Sequence, residues 1–261
     1  MLPLSVVIIT LNEEKNIGRC LQSVQRIADE IVVVDSASTD ATRAICESFG
    51  VKFFVRAWEG YASAKNFGAA QAEHDFILVL DADEALSDEL AESILEIKNR
   101  GEIGFFSFKR LTNYCGQWIK HCGWYPDIKL RMYDRRRVRW QRLIHEQLAP
   151  WPDHIQLLRG DCLHYSYYTI AGHVKQANNF TDLTAQQAFS QGKRCGPWRV
   201  FFAPWFKFLK GYVLQLGFLD GYYGFMICRI SAFAAFLKYA KLRELQRDSS
   251  VSIRTAHRRA A

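Results

Sequence analysis

The sequence predicts an α/β protein with a mostly parallel central sheet, flanking helices and a helical extension at its C-terminal end. Two observations carry this prediction. Short, continuous apolar strands alternate with amphipathic helices up to about residue 99, which is the pattern of parallel strands buried on both faces. Beyond residue 192 the chain is rich in aromatic residues at helical spacing. With 261 residues, the chain can form one large domain and an appendage.

Four strands are predicted in the first half, all apolar and rich in β-branched residues. They are LSVVIIT, EIVVVDS, VKFFV and FILVL. A helix follows each strand. Asn12 suits the N-cap of the first helix, and Ser38 or Thr39 the N-cap of the second, which ends before Gly50. Small residues make up the third helix (ASAKNFGAAQA), and Ser87 caps the fourth.

After Gly101 the alternation of strands and helices ends. Three further strands, GFFSFKRL, IKLRMYD and DCLHYSY, are joined by irregular loops, which favours a mixed or antiparallel extension of the sheet. Residues 169–191 read as helix, and GKRCGP is the clearest break. We therefore predict a domain over 1–192, an amphipathic helical extension over 193–246 and a disordered basic tail over 247–261.

The net charge of +7 is concentrated in two runs, RRRVRW and RTAHRR. Such runs favour an anionic partner: a phosphorylated substrate, an anionic membrane or a nucleic acid. The seven cysteines form no CxxC pair, which indicates reduced thiols in the cytoplasm. Charges interrupt residues 200–237, so no stretch there reaches the roughly 18 apolar residues of a membrane-spanning helix.

The segment DFILVLDADEALSDEL places three acids, Asp81, Asp83 and Glu84, at the end of a buried strand. Like charges so crowded repel each other unless a cation or a ligand offsets them. Asp81 and Asp83 offer hard oxygen ligands suited to Mg²⁺ or Mn²⁺ held together with substrate phosphates. The simpler alternative is that these acids only cap the following helix.

Other polar residues follow the ends of the first two strands, namely Thr10, Asn12, Glu13 and Asp35. Open α/β sheets bind ligands at this edge. Neither GxGxxG nor a Walker A loop is present, so any nucleotide must be bound in another way.

Four segments together resemble the family-2 glycosyltransferases with a GT-A fold. They are VVIITLNEEKNIGRCLQSV, EIVVVDSASTDAT, AKNFGAAQAEHDFILVLDADE and WYPDIKLRMYDRRRVRWQRLIHE. The nearest likeness is to small bacterial enzymes that add a sugar to the lipopolysaccharide core, of the β-1,4-glucosyltransferase type, and it covers about residues 4–245. The resemblance implies an inverting transfer of a hexose, glucose from UDP-glucose, with Mg²⁺ or Mn²⁺ as cofactor.

The resemblance also implies roles for individual residues. Glu13 and Asp35 would hold the nucleoside, with Thr10 and Asn12 in the same turn. Lys65 would lie near the diphosphate, Asp81 at the ribose or base, Asp83 would be the principal metal ligand, and His164 a further ligand. Each has a simpler alternative: Glu13 as a helix-dipole partner, Lys65 as a solvated residue and His164 as a core histidine.

On the acceptor side, His145 and Glu146 occupy the position of the family's second motif. We expect Glu146 to be the general base, with Asp127 as the alternative, while His145 either takes part in catalysis or positions its neighbour. Arg131 begins the basic run RMYDRRRVRW, which would border phosphorylated sugars of the acceptor rather than bind nucleic acid.

The aromatic extension, with its lysine and arginine flanks, fits helices that lie in a membrane interface. We therefore expect a cytoplasmic enzyme, peripheral on the inner membrane. The same helices could instead form an oligomer interface or pack on their own domain. Two alternative functions remain: a transferase for another polysaccharide or lipid-linked acceptor, and a non-catalytic, membrane-recruited nucleotide-sugar-binding protein.

Overall fold

The computed structural model describes residues 1–141 and 146–260, with side chains to residue 247. The chain forms two compact units, the first of residues 1–112 and 126–166 and the second of residues 113–125 and 167–261. The predicted division at residue 192 was drawn on composition and stays a prediction. The predicted disorder of the basic tail, residues 247–261, also stays a prediction, because side chains are described only to residue 247.

The first unit contains most of the sheet. Its strands are β1 (Ser5–Thr10), β2 (Glu30–Asp35), β3 (Lys52–Val55), β4 (Phe76–Asp81), β5 (Glu84–Leu86), β6 (Phe106–Tyr114), β7 (Gln117–Ile119), β8 (Asp127–Asp134), β9 (Arg139–Gln141), β10 (Gln147–Ala149) and β11 (Gln156–Tyr167). Its helices are α1 (Ile17–Val24), α2 (Thr42–Ser48), α3 (Tyr61–Gln71) and α4 (Asp88–Arg100). Of these strands, β7 and the C-terminal ends of β6 and β11 belong to the second unit.

The sheet is mixed, with the order β3-β2-β1-β4-β8-β6-β11-β5. Strands β3, β2, β1 and β4 are parallel, while β8 runs antiparallel to both β4 and β6. Both the predicted α/β class and the antiparallel extension are confirmed. The parallel part ends at β4, because the chain beyond it turns from crossover helices to direct strand-to-strand connections.

Alternate residues of the central strands face two separate cores. Ile8 and Leu78 pack with α1 and α4 on one face, while Val7 and Val79 pack with α3 on the other. Both faces are therefore covered, as the apolar strands predict. On the second face a Cβ added to Gly68 would lie 2.4 Å from Val7 Cγ1, so only glycine lets α3 approach β1 this closely.

Two predicted helix starts are wrong. Helix α1 begins at Ile17 rather than after Asn12, which has a φ of +54°. Helix α2 begins at Thr42, and neither its N-cap nor that of α1 accepts a side-chain capping bond. The capping residues instead tie the β1 and β2 loops together, as described below. The predicted cap at Ser87 is confirmed, since its Oγ accepts the Leu90 N–H at 3.2 Å.

The second unit is helical, with α5 (Ile170–Ser190), α6 (Pro197–Leu209), a π-helical turn (Lys210–Leu214), a 3-10 turn (Gly217–Asp220) and α7 (Gly221–Ala260). Tyr114 lies at the centre of a buried aromatic cluster, and its hydroxyl is 3.0 Å from His173 Nδ1. The buried Asp220 carboxylate accepts the backbone N–H of His121 at 2.8 Å. Among the helices described, none is both long enough and apolar enough to cross a membrane.

Candidate active site

The loops that follow β1 and β2 are bound to each other. Asn12 donates its N–H to Ser38 Oγ at 2.8 Å, and Asn12 Oδ1 accepts the N–H of Thr39 at 2.8 Å. The buried Asp35 carboxylate accepts the N–H of Ser38 at 2.8 Å. Residues from two predicted motifs thus form one rigid edge, and their capping-type side chains satisfy loop backbone instead of helix ends.

Asp83 and His164, the two expected metal ligands, lie next to each other. His164 Nε2 lies 3.2 Å from Asp83 Oδ2, and His164 Nδ1 lies 3.3 Å from Thr112 Oγ1. Burial raises the pKa of the Glu13 carboxyl; a hydrogen bond from Asn16 partly offsets this rise, and the charge of Asp83 adds to it. The end of β1 is joined directly to the segment after β4, because Ile9 pairs with Asp81 and its carbonyl accepts the N–H of Ala82 at 3.1 Å. The two strand ends therefore belong to one site.

Lys65 joins Asp81 to Glu146. Its side chain is fully buried, and Nζ lies 3.1 Å from Asp81 Oδ1 and 2.8 Å from Glu146 Oε1. The ring of Trp140 lies 4.9 Å from Nζ. A solvated surface role for Lys65 is thus wrong, because the ammonium has left water and is balanced by two carboxylates.

The protein's own cations neutralise two of the three acids that follow β4. Arg131 Nη2 donates to Asp81 Oδ2 at 2.8 Å and to Glu84 Oε1 at 3.3 Å, and Arg110 Nη1 donates to Glu84 Oε1 at 3.2 Å. Burial alone would raise the pKa of Asp81, but Arg131 and Lys65 hold it well below its usual range. The charges of Asp81 and Glu84, which the sequence analysis expected a cation or a ligand to offset, are thus offset by side chains of the chain itself.

The acceptor-side residues are only partly described. Asp127 Oδ2 accepts from Arg110 Nη2 at 2.7 Å, and its Oδ1 lies 2.9 Å from Lys129 Nζ. Burial raises the pKa of Asp127, but these two cations outweigh it and lower the pKa below its ordinary value. His145 lies outside the described residues, so its predicted role stays a prediction.

Four buried side-chain atoms make no hydrogen bond within the described residues: Thr10 Oγ1, Asp81 Oδ1, Ser93 Oγ and Arg131 Nη1. Of these, Asp81 Oδ1 has Lys65 Nζ as an ion-pair partner at 3.1 Å, and Thr10 and Arg131 lie beside the strand-end acids. Thr10 pairs with Asp35 in the β1–β2 register, and its neighbour Ile9 pairs with Asp81. Buried donors and acceptors are rarely left unpaired in native proteins. Their position beside the strand-end acids is what a polar ligand at this edge would require.

Sequence reasoning missed the structural roles of Glu84, Arg110 and Trp140. Glu84 is buried and also accepts the N–H of Asp81 at 3.0 Å, so it shapes the turn rather than binding a ligand. The sequence did contain a signal for the two arginine partners of these acids. Arg110 and Arg131 each stand inside an apolar strand pattern, where an arginine needs a buried carboxylate partner.

The donor set fits a divalent cation with few protein ligands. One carboxylate and one imidazole suit Mn²⁺, and Mg²⁺ less closely, when diphosphate oxygens complete the coordination. Within the described part of the chain, no three histidine, cysteine or acidic residues are grouped as a metal cluster. A site completed by the substrate is therefore the arrangement that these residues can support.

The strand-end acids, the mixed sheet and a family comparison define the class of protein. Residues 5–149 match the model of Glycosyl transferase family 2. The chain belongs to this family and is a glycosyltransferase, and its fold is the predicted GT-A arrangement with a C-terminal helical extension.

Several relatives match nearly the whole chain, and two of them illustrate the range. A lipopolysaccharide core biosynthesis glycosyltransferase, LpsC of Rhizobium meliloti, is 31% identical over 250 residues, which cover 92% of each chain. An uncharacterized glycosyltransferase of Rickettsia typhi is 34% identical over 261 residues, covering 95% of this chain and 89% of the relative.

Similar solved structures are more distant. TarS 1–349 of S. aureus is 14% identical with a TM-score of 0.44, covering 95% of this chain and 92% of that one. Glucosyl-3-phosphoglycerate synthase from Mycobacterium tuberculosis is 23% identical with a TM-score of 0.36, covering 42% and 44%. These scores are too low to add to the assignment, which rests on the family match.

Proposed function

We propose that this glycosyltransferase moves glucose from UDP-glucose to an inner-core sugar of lipopolysaccharide, with inversion at the anomeric carbon. The observation that carries the proposal is the pairing of Asp83 with His164 at 3.2 Å beside the half-buried Asp81. The likeness to the lipopolysaccharide core enzyme of R. meliloti supports the acceptor class. The transfer reaction would take place at the cytoplasmic face of the inner membrane.

The donor would lie along the edge formed by the β1 and β2 loops. Thr10, Asn12, Glu13 and Asp35 would hold the nucleoside, with the unpaired Thr10 hydroxyl as one contact. Asp81 would face the ribose or base. Lys65, whose side chain has no exposed surface, would lie near the diphosphate and hold the two carboxylates that it contacts in place.

Asp83 and His164 would hold Mg²⁺ or Mn²⁺. Such an ion, when bound, stabilises the negative charge that develops on a departing nucleoside diphosphate. The chain itself orients both ligands: the backbone carbonyl of Asp83 accepts the N–H of Tyr165 at 2.8 Å. This bond links the Asp83 turn to β11, the strand that carries His164.

Glu146 would act as the general base. The acceptor hydroxyl attacks the anomeric carbon while the bond to the diphosphate breaks, and the Glu146 carboxylate takes the hydroxyl proton. Lys65 fixes one oxygen of this carboxylate at 2.8 Å. Arg131, whose Nη1 is free of hydrogen bonds among the described residues, would offer a guanidinium N–H to a phosphorylated acceptor.

Sugar-nucleotide turnover by the purified chain tests the proposal. The assay would offer UDP-glucose, UDP-galactose and UDP-N-acetylglucosamine, with and without Mn²⁺ or Mg²⁺, and a truncated lipopolysaccharide core as acceptor. We expect transfer from UDP-glucose that needs the metal and is lost in Asp83→Asn and Glu146→Gln. Glu92→Gln, on the exposed face of α4, serves as the control. Transfer only to another glycan would move the assignment to a different acceptor, and metal-independent transfer would remove the Asp83–His164 role.

A further inference from the structure

Helix α6 is apolar on all sides, yet it contains no buried residue. Its sequence is PWRVFFAPWFKFL, and its only charged residues are Arg199 and Lys207. A helix of this composition is normally found inside a protein core or in a membrane. Among the described residues, none covers the exposed side of α6.

The exposed side chains of α6 form one broad apolar face. Trp198, Phe202, Phe206 and Leu209 are 73%, 55%, 67% and 52% exposed, and Phe201 and Trp205, at the edge of the same face, are 64% and 62% exposed although they line a groove against α7. At 3.6 residues per turn, these six side chains lie within an arc of about 140°. A continuous apolar face of this width, on a helix that carries no acid, suits the interface of a bilayer.

The groove between α6 and α7 combines an apolar wall with a basic rim. It encloses about 1010 Å³. Phe233 and Phe236 of α7 face the aromatic residues of α6, and Arg229, Arg243 and Arg247 stand among the lining residues with a single acid, Glu244. Hydrocarbon bounded by guanidinium groups matches an acyl chain attached to a phosphate.

The segment around the groove is strongly basic. Residues 193–247 include ten lysines and arginines and two acids, Asp220 and Glu244. Asp220 is buried and its Oδ1 lies 2.9 Å from His121 Nδ1, so it does not offset the surface charge. Such a surface is attracted to anionic lipid headgroups.

We propose that α6 lies in the plane of an anionic bilayer, at the boundary of headgroups and hydrocarbon, and that an acyl chain of an anionic glycerophospholipid fills the groove between α6 and α7. The helix has 13 residues, about 20 Å, against about 30 Å of hydrocarbon, which suits an in-plane position. Helix α6 and an anionic glycerophospholipid would thus form the peripheral membrane contact, and this proposal rests on the proposed function, which places the enzyme at a membrane.

Vesicle binding by the full chain tests the first half of the proposal. We expect binding to phosphatidylcholine–phosphatidylglycerol vesicles to exceed binding to pure phosphatidylcholine by at least about tenfold, and to weaken as salt is added. A Trp198→Ser, Phe206→Ser double variant should lose most of this binding. Equal binding to both vesicles, or a stable dimer that ignores vesicles, would overturn the proposal in favour of a second copy as the cover.

Quenching by brominated acyl chains tests the groove itself. Tryptophan fluorescence should be quenched on binding, and Trp205→Phe should remove much of that quenching. Trp58→Phe and Trp151→Phe, at exposed positions of the first unit, should leave it unchanged. Binding with no contribution from Trp205 would refute the occupied groove.

Transfer to a lipid-free oligosaccharide separates this inference from the proposed function. The Trp198→Ser, Phe206→Ser variant should transfer sugar to that acceptor at the unmodified rate. Absence of all transfer, together with intact vesicle binding, would remove the proposed reaction and leave the lipid site standing.

Discussion

Lys65 Nζ lies 2.8 Å from Glu146 Oε1 and 3.1 Å from Asp81 Oδ1, and the lysine side chain is fully buried. One buried ammonium therefore links an acid at the end of β4 to the glutamate proposed as base. Because buried charges are held by their partners, the position of each carboxylate depends on this lysine. Loss of Lys65 should thus affect folding and the site together.

Lys65→Met is expected to lower the free energy of unfolding by about 3–5 kcal/mol, because it removes a fully buried cation from two half-buried carboxylates. Lys52→Met is the matched control. Lys52 also contacts two carboxylates, Glu30 and Glu73, but its side chain is 42% exposed, and water can replace its contacts. Chemical denaturation at pH 7 gives both values. Equal effects of the two substitutions would show that burial of Lys65 is not what matters.

Glu146→Gln is expected to lower kcat by roughly 10²–10⁴-fold, as the loss of a general base does. Asp127→Asn should cost much less, because Arg110 and Lys129 lower the pKa of Asp127 and make it a weaker proton acceptor. The measurement is steady-state transfer for both variants, after circular dichroism has shown that each is folded. A larger loss in Asp127→Asn would exchange the two roles.

Gly68→Ala is expected to destabilise the chain by about 1–3 kcal/mol through overpacking. The added methyl would lie 2.4 Å from Val7 Cγ1 and 3.0 Å from Val34 Cγ2. Gly18→Ala in α1 is the control: its Cβ would meet Ile45 Cγ2 at an ordinary 3.6 Å. There the better helix propensity of alanine should be neutral or stabilising by up to about 1 kcal/mol. Thermal or urea unfolding distinguishes the two outcomes.

Much of the first unit could be predicted because its strands are continuous apolar runs separated by turn residues. The same patterns place Asp83 and His164 in different segments, and only the resemblance to a family suggested that they meet. Helix starts were harder. Asn12 and Ser38 are good capping residues, but tertiary bonds between the two loops use their side chains instead, and sequence spacing carries no information on that competition.

The ionic partners in the site could not be assigned from the sequence. Lys65 and Arg131 lie 66 residues apart in the chain, and either could have been a surface residue by composition alone. The pairing of Arg131 with Asp81 depends on the antiparallel placement of β8 beside β4, with Leu78 opposite Met132, and that of Lys65 depends on the packing of α3 against the sheet. Register between distant strands is set by the whole core, so the identity of buried ion pairs follows from the fold rather than preceding it.

His173 makes stability depend on pH in a defined window. Burial lowers the pKa of this imidazole from 6.5 to about 4, so between these values the unfolded chain binds more protons than the native one. The free energy of unfolding should therefore reach its full value above about pH 6.5 and fall by about 3 kcal/mol as the pH drops to 4.

His173→Gln should remove this dependence of the free energy of unfolding on pH, while His154→Gln, at an exposed loop position, should preserve it. The measurement is the free energy of unfolding by urea between pH 4 and 7.5. An unchanged slope in His173→Gln would mean that the imidazole takes up its proton within the folded cluster, and that the hydroxyl of Tyr114, 3.0 Å away, accepts a hydrogen bond from the charged ring.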